Sequence, residues 1–259
     1  MIVPQSFMDD EYRMAGITEP KVMVTTARDP STKLSAFAKE IRLLFPNAQR
    51  VNRGNHVVSQ LVEVARQNEI TDIVVLHEHR GVPDGLIISH MPFGPTVKFG
   101  LYNVVTRSDI GTLPNMSEQY PHLIFDNFKS NLGERVSIIL KHLFPTPKTD
   151  SKRVMTFANR SDFISFRHHN WRRGRNKKLR PDSGNKKEEA AEQDEGGESD
   201  EETIGTLGRN EIELLEVGPR FELRLFEITN GTLDSATADK EWVYRPYMNS
   251  RKKRRMDDL

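Results

Sequence analysis

Apolar positions at the start of the chain change from strand-like to helix-like spacing. Residues 22–26 (VMVTT) form a short β-branched run that ends at a turn, which predicts a strand. An amphipathic helix is predicted next because apolar residues recur every three or four positions until Pro46 stops the pattern. Those apolar positions are Leu34, Phe37, Ile41 and Leu44.

A second helix and three further strands are predicted before residue 110. The helix has apolar positions at Val57, Leu61, Val64 and Ala65. The strands are predicted over residues 72–76 (DIVVL), 85–89 and 97–105. The first part of the chain is therefore predicted to have the order βαβα followed by further strands.

The same order begins again after residue 120. A strand is predicted over 121–128 and a helix over 131–145, where Asn131 and Glu134 resemble a capping box. The apolar stripe of this helix is Leu132, Val136, Ile139, Leu140 and Leu143. Both helices end in Leu-Phe-Pro, at 44–46 and 143–145, which favours an internal duplication over coincidence. Further strands are predicted over 153–158, 163–169, 211–217 and 221–228.

Charge is distributed in blocks, although the net charge is only +1. Residues 167–187 are strongly basic, residues 188–202 strongly acidic, and 251–255 (RKKRR) basic. Because residues 172–210 contain few apolar side chains, a long disordered loop between neighbouring strands is predicted there. The loop is either a tether for RNA and assembly partners or a solubilising insertion, and the tail is a nuclear-import signal, a phosphate contact or a solvated end.

Composition excludes several classes of protein. With no cysteine, the chain has no disulfide, Cys-based zinc site or Cys nucleophile, and a reducing compartment is expected. No stretch approaches the ~20 apolar residues of a membrane-spanning helix, and the start lacks the order of a secretory signal, so a soluble, non-exported protein is expected. Phosphate-loop, GxSxG, HExxH and dinucleotide-binding signatures are absent from the sequence. We therefore expect no catalytic residues and no cofactor.

Two histidine groups bear on a metal site. His77, Glu78 and His79 follow a strand, and alternation would place both histidines on one face. A polar strand end is the favoured interpretation, since no third ligand is evident nearby, and no metal is expected. His168 and His169 are adjacent in a strand pattern and are predicted to point to opposite faces.

Arginine and lysine recur beside Gly, Pro and Asn turns at the ends of predicted strands. This pattern is typical of backbone that approaches phosphates closely. If the strand ends gather on one side, the cations form one phosphate-binding surface, to which Phe163, Phe166 and Trp171 add stacking faces; ordinary surface charge with core aromatics is the alternative. The candidates are Arg28, Lys33, Arg50, Arg53, Arg80, Arg160 and Arg167, extended into the basic block by Arg172 and Arg173.

Five motifs together resemble the Brix-domain family of ribosome-assembly factors. They are TTARDPS (25–31), HEHRG (77–81), SHMPFGPT (89–96), FANRSDFISFRHH (157–169) and EVGPRFELRLFEITNGTL (216–233). The match runs from about Lys21 to Trp242, and the additional segments DDEYRMAG, MSEQYPHLIFDNF and ADKEWVYRPY are similar to the branch that works with the U3 small nucleolar RNA.

The resemblance implies an α/β fold of two similar halves, each a sheet with packed helices, akin to the anticodon-binding domains of class II aminoacyl-tRNA synthetases. The expected organisation is an arm (1–20), a first half (21–110), a second half (111–245) with the insert 172–210, and a basic tail (246–259). In the motif EVGPRF, Gly218 and Pro219 are expected to join two strands, and Arg220 either pairs with a carboxylate or touches phosphate.

The same resemblance implies a non-enzymatic RNA-binding role in the nucleolus. The expected RNA partners are U3 small nucleolar RNA and the precursor of 18S ribosomal RNA, which the protein would help to pair and process. The expected protein partners are a large M-phase phosphoprotein scaffold and a small RNA-binding protein, within the small-subunit processome. A protein-interaction module with little direct RNA binding is the alternative.

Overall fold

Strands and helices alternate along the chain largely as the apolar pattern predicts. The computed structural model describes residues 11–12, 16–111, 114–173, 212–235 and 237–245. Its elements are β1 (Val22–Thr26), α1 (Thr32–Leu44), β2 (Gln49–Arg50), α2 (Val58–Gln67), β3 (Asp72–His79), β4 (Val82–His90), β5 (Thr96–Val105), α3 (Arg107–Ile110), β6 (His122–Asp126), α4 (Asn131–Lys141), β7 (Arg153–Arg160), β8 (Phe163–Arg173), β9 (Ile212–Glu216), β10 (Arg220–Asn230) and β11 (Asp239–Val243).

The strands of both halves join into one continuous sheet. The order is β2-β1-β3-β4-β5-β10-β8-β7-β6, with β11 added to β10 and β9 added to β8. The halves join where β5 and β10 pair antiparallel, from Val105 opposite Arg220 to Thr96 opposite Thr229. A pairing of this length closes two sheet edges that would otherwise expose unpaired backbone groups.

The predicted duplication is present in the connectivity. In the first half β1 and β3 are parallel and joined through helices, and β4 and β5 follow antiparallel; β6, β7, β8 and β10 repeat this arrangement. The equivalent turns, Arg80-Gly81 and Ser161-Asp162, all have positive φ, as in a type I′ hairpin. Because β5 and β10 run antiparallel, equivalent strands of the two halves run in opposite directions.

Helices cover the two faces of the sheet unequally. The main core contains the apolar faces of both α1 and α4, packed on residues such as Phe99 and Leu223 from the central strands. A second, smaller core on the other face contains α2 with Met23 and Ile73 from β1 and β3. No described helix covers the second face of β5, β10 and β8, and we call this surface the open face.

Several details differ from the sequence predictions. Ser130, not Asn131, caps α4 by accepting a hydrogen bond from the backbone N–H of Gly133 at 3.0 Å. Strand β8 continues to Arg173, so the first two residues of the predicted loop belong to a strand. The short elements β2 and α3 and the strand β11 were not predicted. The remainder of the charged insert, the first ten residues and the basic tail 246–259 lie outside the described residues. Within the described ranges no helix is long and apolar enough to span a membrane.

A buried arginine joins the two halves beneath the sheet. Arg153, at the start of β7, is 1% exposed, and its Nη2 donates to the carbonyls of Leu43 and Leu44 at 2.8 and 3.1 Å. Its Nε donates to Nε2 of His168 at 2.9 Å. The His168 ring is therefore neutral with its proton on Nδ1, which donates to the Gly218 carbonyl at 2.8 Å. As predicted, His168 and the half-buried His169 lie on opposite faces.

The state of His168 predicts an acid-sensitive fold. Burial, and then the charge of Arg153, lower the pKa of His168 to about 3. Because the unfolded chain binds a proton near pH 6.5 and the folded chain does not, stability is complete above that pH and is lost as pH falls toward 3. We expect roughly 2 kcal/mol less unfolding free energy from this group at pH 5 than at pH 7.5.

Urea unfolding of the full chain at both pH values measures this loss. Replacing His168 with Gln, which cannot titrate, should remove about that part of the pH dependence, whereas the exposed His79→Gln change should leave it as in wild type. Equal pH dependence in His168→Gln and wild type would contradict the assignment.

Candidate nucleic-acid interface

Strand direction places five of the candidate cations at one end of the strands of the first half. Strands β1, β2 and β3 all end there. We call this the cationic end. Its members, placed by their backbone positions, are Arg28, Lys33, Arg50, Arg53 and Arg80.

Arg28 and Arg53 lie close together in loops that follow β1 and β2. Burial, and then the charge of Arg28, lower the pKa of Arg53, whose Nε donates to the His56 carbonyl at 3.0 Å. Arg80 is exposed in the turn after β3, the strand that pairs with β1. None of the three forms an ion pair with a residue that the structure describes. Like charges left unpaired at a strand end favour binding of a polyanion.

Glu78 positions the loop that presents Arg28. Its carboxylate accepts hydrogen bonds from the backbone N–H of Ser31, at 2.7 Å, and from the Ser31 hydroxyl. The same hydroxyl caps α1 by accepting from Leu34 N at 3.1 Å. The His77-Glu78-His79 segment thus anchors the β1–α1 loop, and a bulge between His77 and Glu78 breaks its alternation. The described residues contain no group of three side chains placed to hold a metal ion.

Two candidates in the second half have carboxylate partners. Arg172 Nε lies 2.6 Å from Glu213, and Arg220 Nη1 lies 3.2 Å from Glu216. Both arginine side chains remain about half exposed, at 52% and 40%. For Arg220, the structure therefore contains the carboxylate pairing that the sequence left open.

Arg160 lies several strands away from the cationic end, at the β7–β8 turn. The pairing of β7, β8, β10, β5, β4 and β3 places it level with His77, whereas Arg172 and Arg173 lie at the other end of β8, so the ten candidates do not form one surface. At the β7–β8 turn, Arg160 and Lys129 line an open cavity of about 570 Å³ together with Asp126, Asn127, Asn159 and Ser161. Arg167 lies on the open face within β8 and donates to the Phe166 carbonyl at 3.1 Å.

The three aromatic candidates also occupy different parts of the structure. Phe166 is 2% exposed in the main core, where it stacks on Phe221, so it offers no surface to a base. Phe163 lies on the open face, and Trp171 is half-buried with its indole N–H donating to the Ser151 carbonyl at 3.0 Å. Sequence reasoning missed the aromatic residues beside Phe163 on that face, because alternation showed which face they share but not that no helix covers it.

Comparison with known proteins identifies the family. The pattern of the Brix domain matches residues 27–227. The chain belongs to the Brix-domain family. It is 52% identical over 250 residues to the human U3 small nucleolar ribonucleoprotein protein IMP4, covering 96% of this chain and 75% of that protein. The Saccharomyces cerevisiae protein of the same name is 51% identical over 249 residues, covering 95% and 74%. Among solved structures, a probable ribosomal biogenesis protein from Aeropyrum pernix has a TM-score of 0.48 at 19% identity, covering 58% of this chain and 89% of that one.

Proposed function

We propose that this Brix-domain protein is an RNA-binding assembly factor of ribosome biogenesis that acts as a component of the U3 small nucleolar ribonucleoprotein. Family membership and 52% identity to proteins named U3 small nucleolar ribonucleoprotein protein IMP4 support this role. The observation that carries it is the group of three arginines, Arg28, Arg53 and Arg80, at neighbouring strand ends without a carboxylate partner among the described residues.

The proposed mechanism is electrostatic. Phosphates that bind these guanidiniums release condensed counterions and relieve the repulsion between Arg28 and Arg53. The Glu78–Ser31 hydrogen bonds hold the Arg28 loop in place before RNA arrives, which lowers the ordering cost of binding. The protein would hold RNA strands without making or breaking bonds in them.

Within the small-subunit processome, this activity would assist pairing of U3 small nucleolar RNA with the precursor of 18S ribosomal RNA and its processing, in the nucleolus. A large M-phase phosphoprotein scaffold and a small RNA-binding protein of the same ribonucleoprotein are the proposed protein partners.

A scaffold module with little direct RNA binding is the second candidate. Strand β9 exposes Ile212 and Leu214, at 64% and 55%, on one face. Exposed apolar side chains on a strand that pairs along one edge are typical of protein contacts.

Salt-titrated binding of the purified chain to fragments of U3 RNA, precursor ribosomal RNA and an unrelated RNA tests the proposal. With about three phosphate contacts, affinity should fall about 20- to 40-fold between 50 and 200 mM salt. Arg28→Glu, Arg53→Glu and Arg80→Glu should each weaken binding by about tenfold and flatten the salt dependence.

Lys39→Glu, an equal charge reversal at an exposed position of α1, is the matched control and should change binding little. Feeble, salt-insensitive binding of wild type to every RNA would contradict the RNA mechanism and favour the scaffold module.

A further inference from the structure

The open face carries a cluster of aromatic rings around one arginine. Because Leu101, Ile164 and Leu223 point into the main core, alternation directs Tyr102, Phe163 and Arg224 to the opposite face. These residues belong to β5, β8 and β10, which are neighbours at the centre of the sheet. The cluster is completed by Phe226 on β10 and Tyr244 just after β11, and we call these five residues the aromatic platform.

Aromatic side chains, and not a carboxylate, hold the Arg224 guanidinium in place. Its guanidinium carbon lies 5.0 Å from the ring centre of Phe163 and 4.6 Å from that of Tyr244. Its Nη2 donates to the Tyr244 hydroxyl at 2.8 Å, and its Nε has no hydrogen-bond partner among the described residues. No described carboxylate forms an ion pair with it. A positioned guanidinium in this state is ready to bind an anionic group.

The rings around Arg224 are packed against one another yet remain accessible. Tyr102 packs edge-on against Phe163 with centres 5.4 Å apart, and Phe226 packs edge-on against Tyr244 at 5.8 Å. Even so, Tyr102 is 38% exposed and Phe226 is 39% exposed. Two exposed rings with fixed orientations are a typical surface for base stacking.

Gly100 provides the room for this arrangement. A Cβ atom there would lie 2.7 Å from the Phe226 ring and 3.1 Å from the Tyr102 ring, so any side chain would displace them. The edges of the Phe226 and Tyr102 rings therefore meet over Gly100, and the two exposed rings form one continuous surface.

The charge around the platform favours a polyanion. Glu227 is shared by Lys98 and Lys240, each at 2.9 Å, and Glu222 accepts a hydrogen bond from Asn103. With Arg224, these named groups are three cations and two carboxylates. In the sequence, the basic cluster 251–255 follows soon after Tyr244.

We propose that the aromatic platform is a binding subsite for unpaired RNA, in which two successive bases stack on Tyr102 and Phe226 and Arg224 binds the phosphate or a base edge. The subsite rests on the proposed RNA-binding function but is separate from the cationic end, because it lies on the sheet face and selects single strands. A duplex, whose bases are already stacked on one another, cannot use the rings.

Fluorescence anisotropy with a short oligouridylate and a blunt RNA duplex tests this assignment in the full chain. Tyr102→Leu and Phe226→Leu keep apolar bulk but remove the ring, and each should weaken oligouridylate binding about tenfold while leaving duplex binding unchanged. Phe93→Leu is the matched control, since Phe93 is 84% exposed in the β4–β5 turn, and it should bind both RNAs as wild type does.

A 2-aminopurine base within the oligonucleotide reports stacking directly, and its fluorescence should be quenched by wild type and less by Phe226→Leu. Unchanged oligouridylate binding and quenching in both variants, with wild type binding RNA and Arg28→Glu weakening it, would overturn the platform alone. Failure of wild type to bind any RNA would overturn the proposed function as well.

Discussion

Replacing Arg153 with alanine is expected to lower the free energy of unfolding by about 3–5 kcal/mol, because a buried group with several partners is lost. The guanidinium donates to the carbonyls of Leu43 and Leu44 at the end of α1, to the carbonyl of Gln119 and to the ring of His168. Truncation leaves these acceptors without their donor and opens a cavity where one of the largest fully buried side chains stood. Chemical denaturation monitored by circular dichroism measures the loss.

The same strand supplies the control. Arg160 lies at the other end of β7 and is exposed, so Arg160→Ala should change the unfolding free energy by no more than about 0.5 kcal/mol. Arg153→Met keeps most of the volume but none of the hydrogen bonds, and its loss should lie between those of the two alanine variants. If Arg153→Ala were as stable as Arg160→Ala, the buried arginine would not be joining the two halves.

Gly94→Ala is expected to lower the free energy of unfolding by about 2–4 kcal/mol, because it introduces backbone strain and a backbone clash. Gly94 lies in the β4–β5 turn with a φ of +110°, which side chains rarely tolerate. A Cβ there would lie 2.7 Å from the backbone nitrogen of Gly231, and a backbone atom cannot rotate aside as a side chain can. The Thr96 hydroxyl fixes Gly231 in this position by donating to its carbonyl at 2.6 Å. Thermal unfolding of the full chain measures this loss of unfolding free energy.

Gly81→Ala separates the two causes. Gly81 also has positive φ, at +77°, but no atom lies within 4 Å of the position that an alanine methyl group would take there. Replacing Gly81 should therefore lower the free energy of unfolding by about 1 kcal/mol, because only the positive φ disfavours alanine there. Equal costs at Gly81 and Gly94 would show that the contact between the β4–β5 turn and Gly231 does not constrain the fold.

The local elements followed from the sequence because their physical causes are local. Leu34, Phe37, Ile41 and Leu44 are all buried on α1, as their spacing predicted. The stripe of α4 is buried in the same way, and the repeated order of elements indicated the duplication. Alternation also placed His168 and His169 on opposite faces. The predicted capping residue of α4 was wrong by one position. Ser130 and Asn131 are both residue types that cap helices well, and the apolar spacing does not distinguish between them.

The candidate site was less accessible to sequence reasoning. Arg28, Arg53 and Arg80 were correctly placed at strand ends, yet Arg160, which is also at a strand end, lies several strands away across the sheet. The separation arises from the strand order, which follows from the pairing of β5 with β10. Phe163 and Phe166 were both considered as stacking residues, but Phe166 is buried and Phe163 lies on the open face.

The sequence by itself determined most helices and strands, the buried faces of α1 and α4, and the family, because hydrophobic period, turn residues and motifs act over a few residues. On α2 the predicted face was partly wrong, since Val57 and Val64 are exposed and Val62 is buried. Tertiary structure alone decided that the two halves share one sheet, that Arg153 is buried beside His168, and that Arg224 lies between two rings on a face no described helix covers. Those outcomes depend on which distant strands pair and in which direction. Pairing between segments more than a hundred residues apart is decided by the packing of the whole core, so no local pattern could specify it.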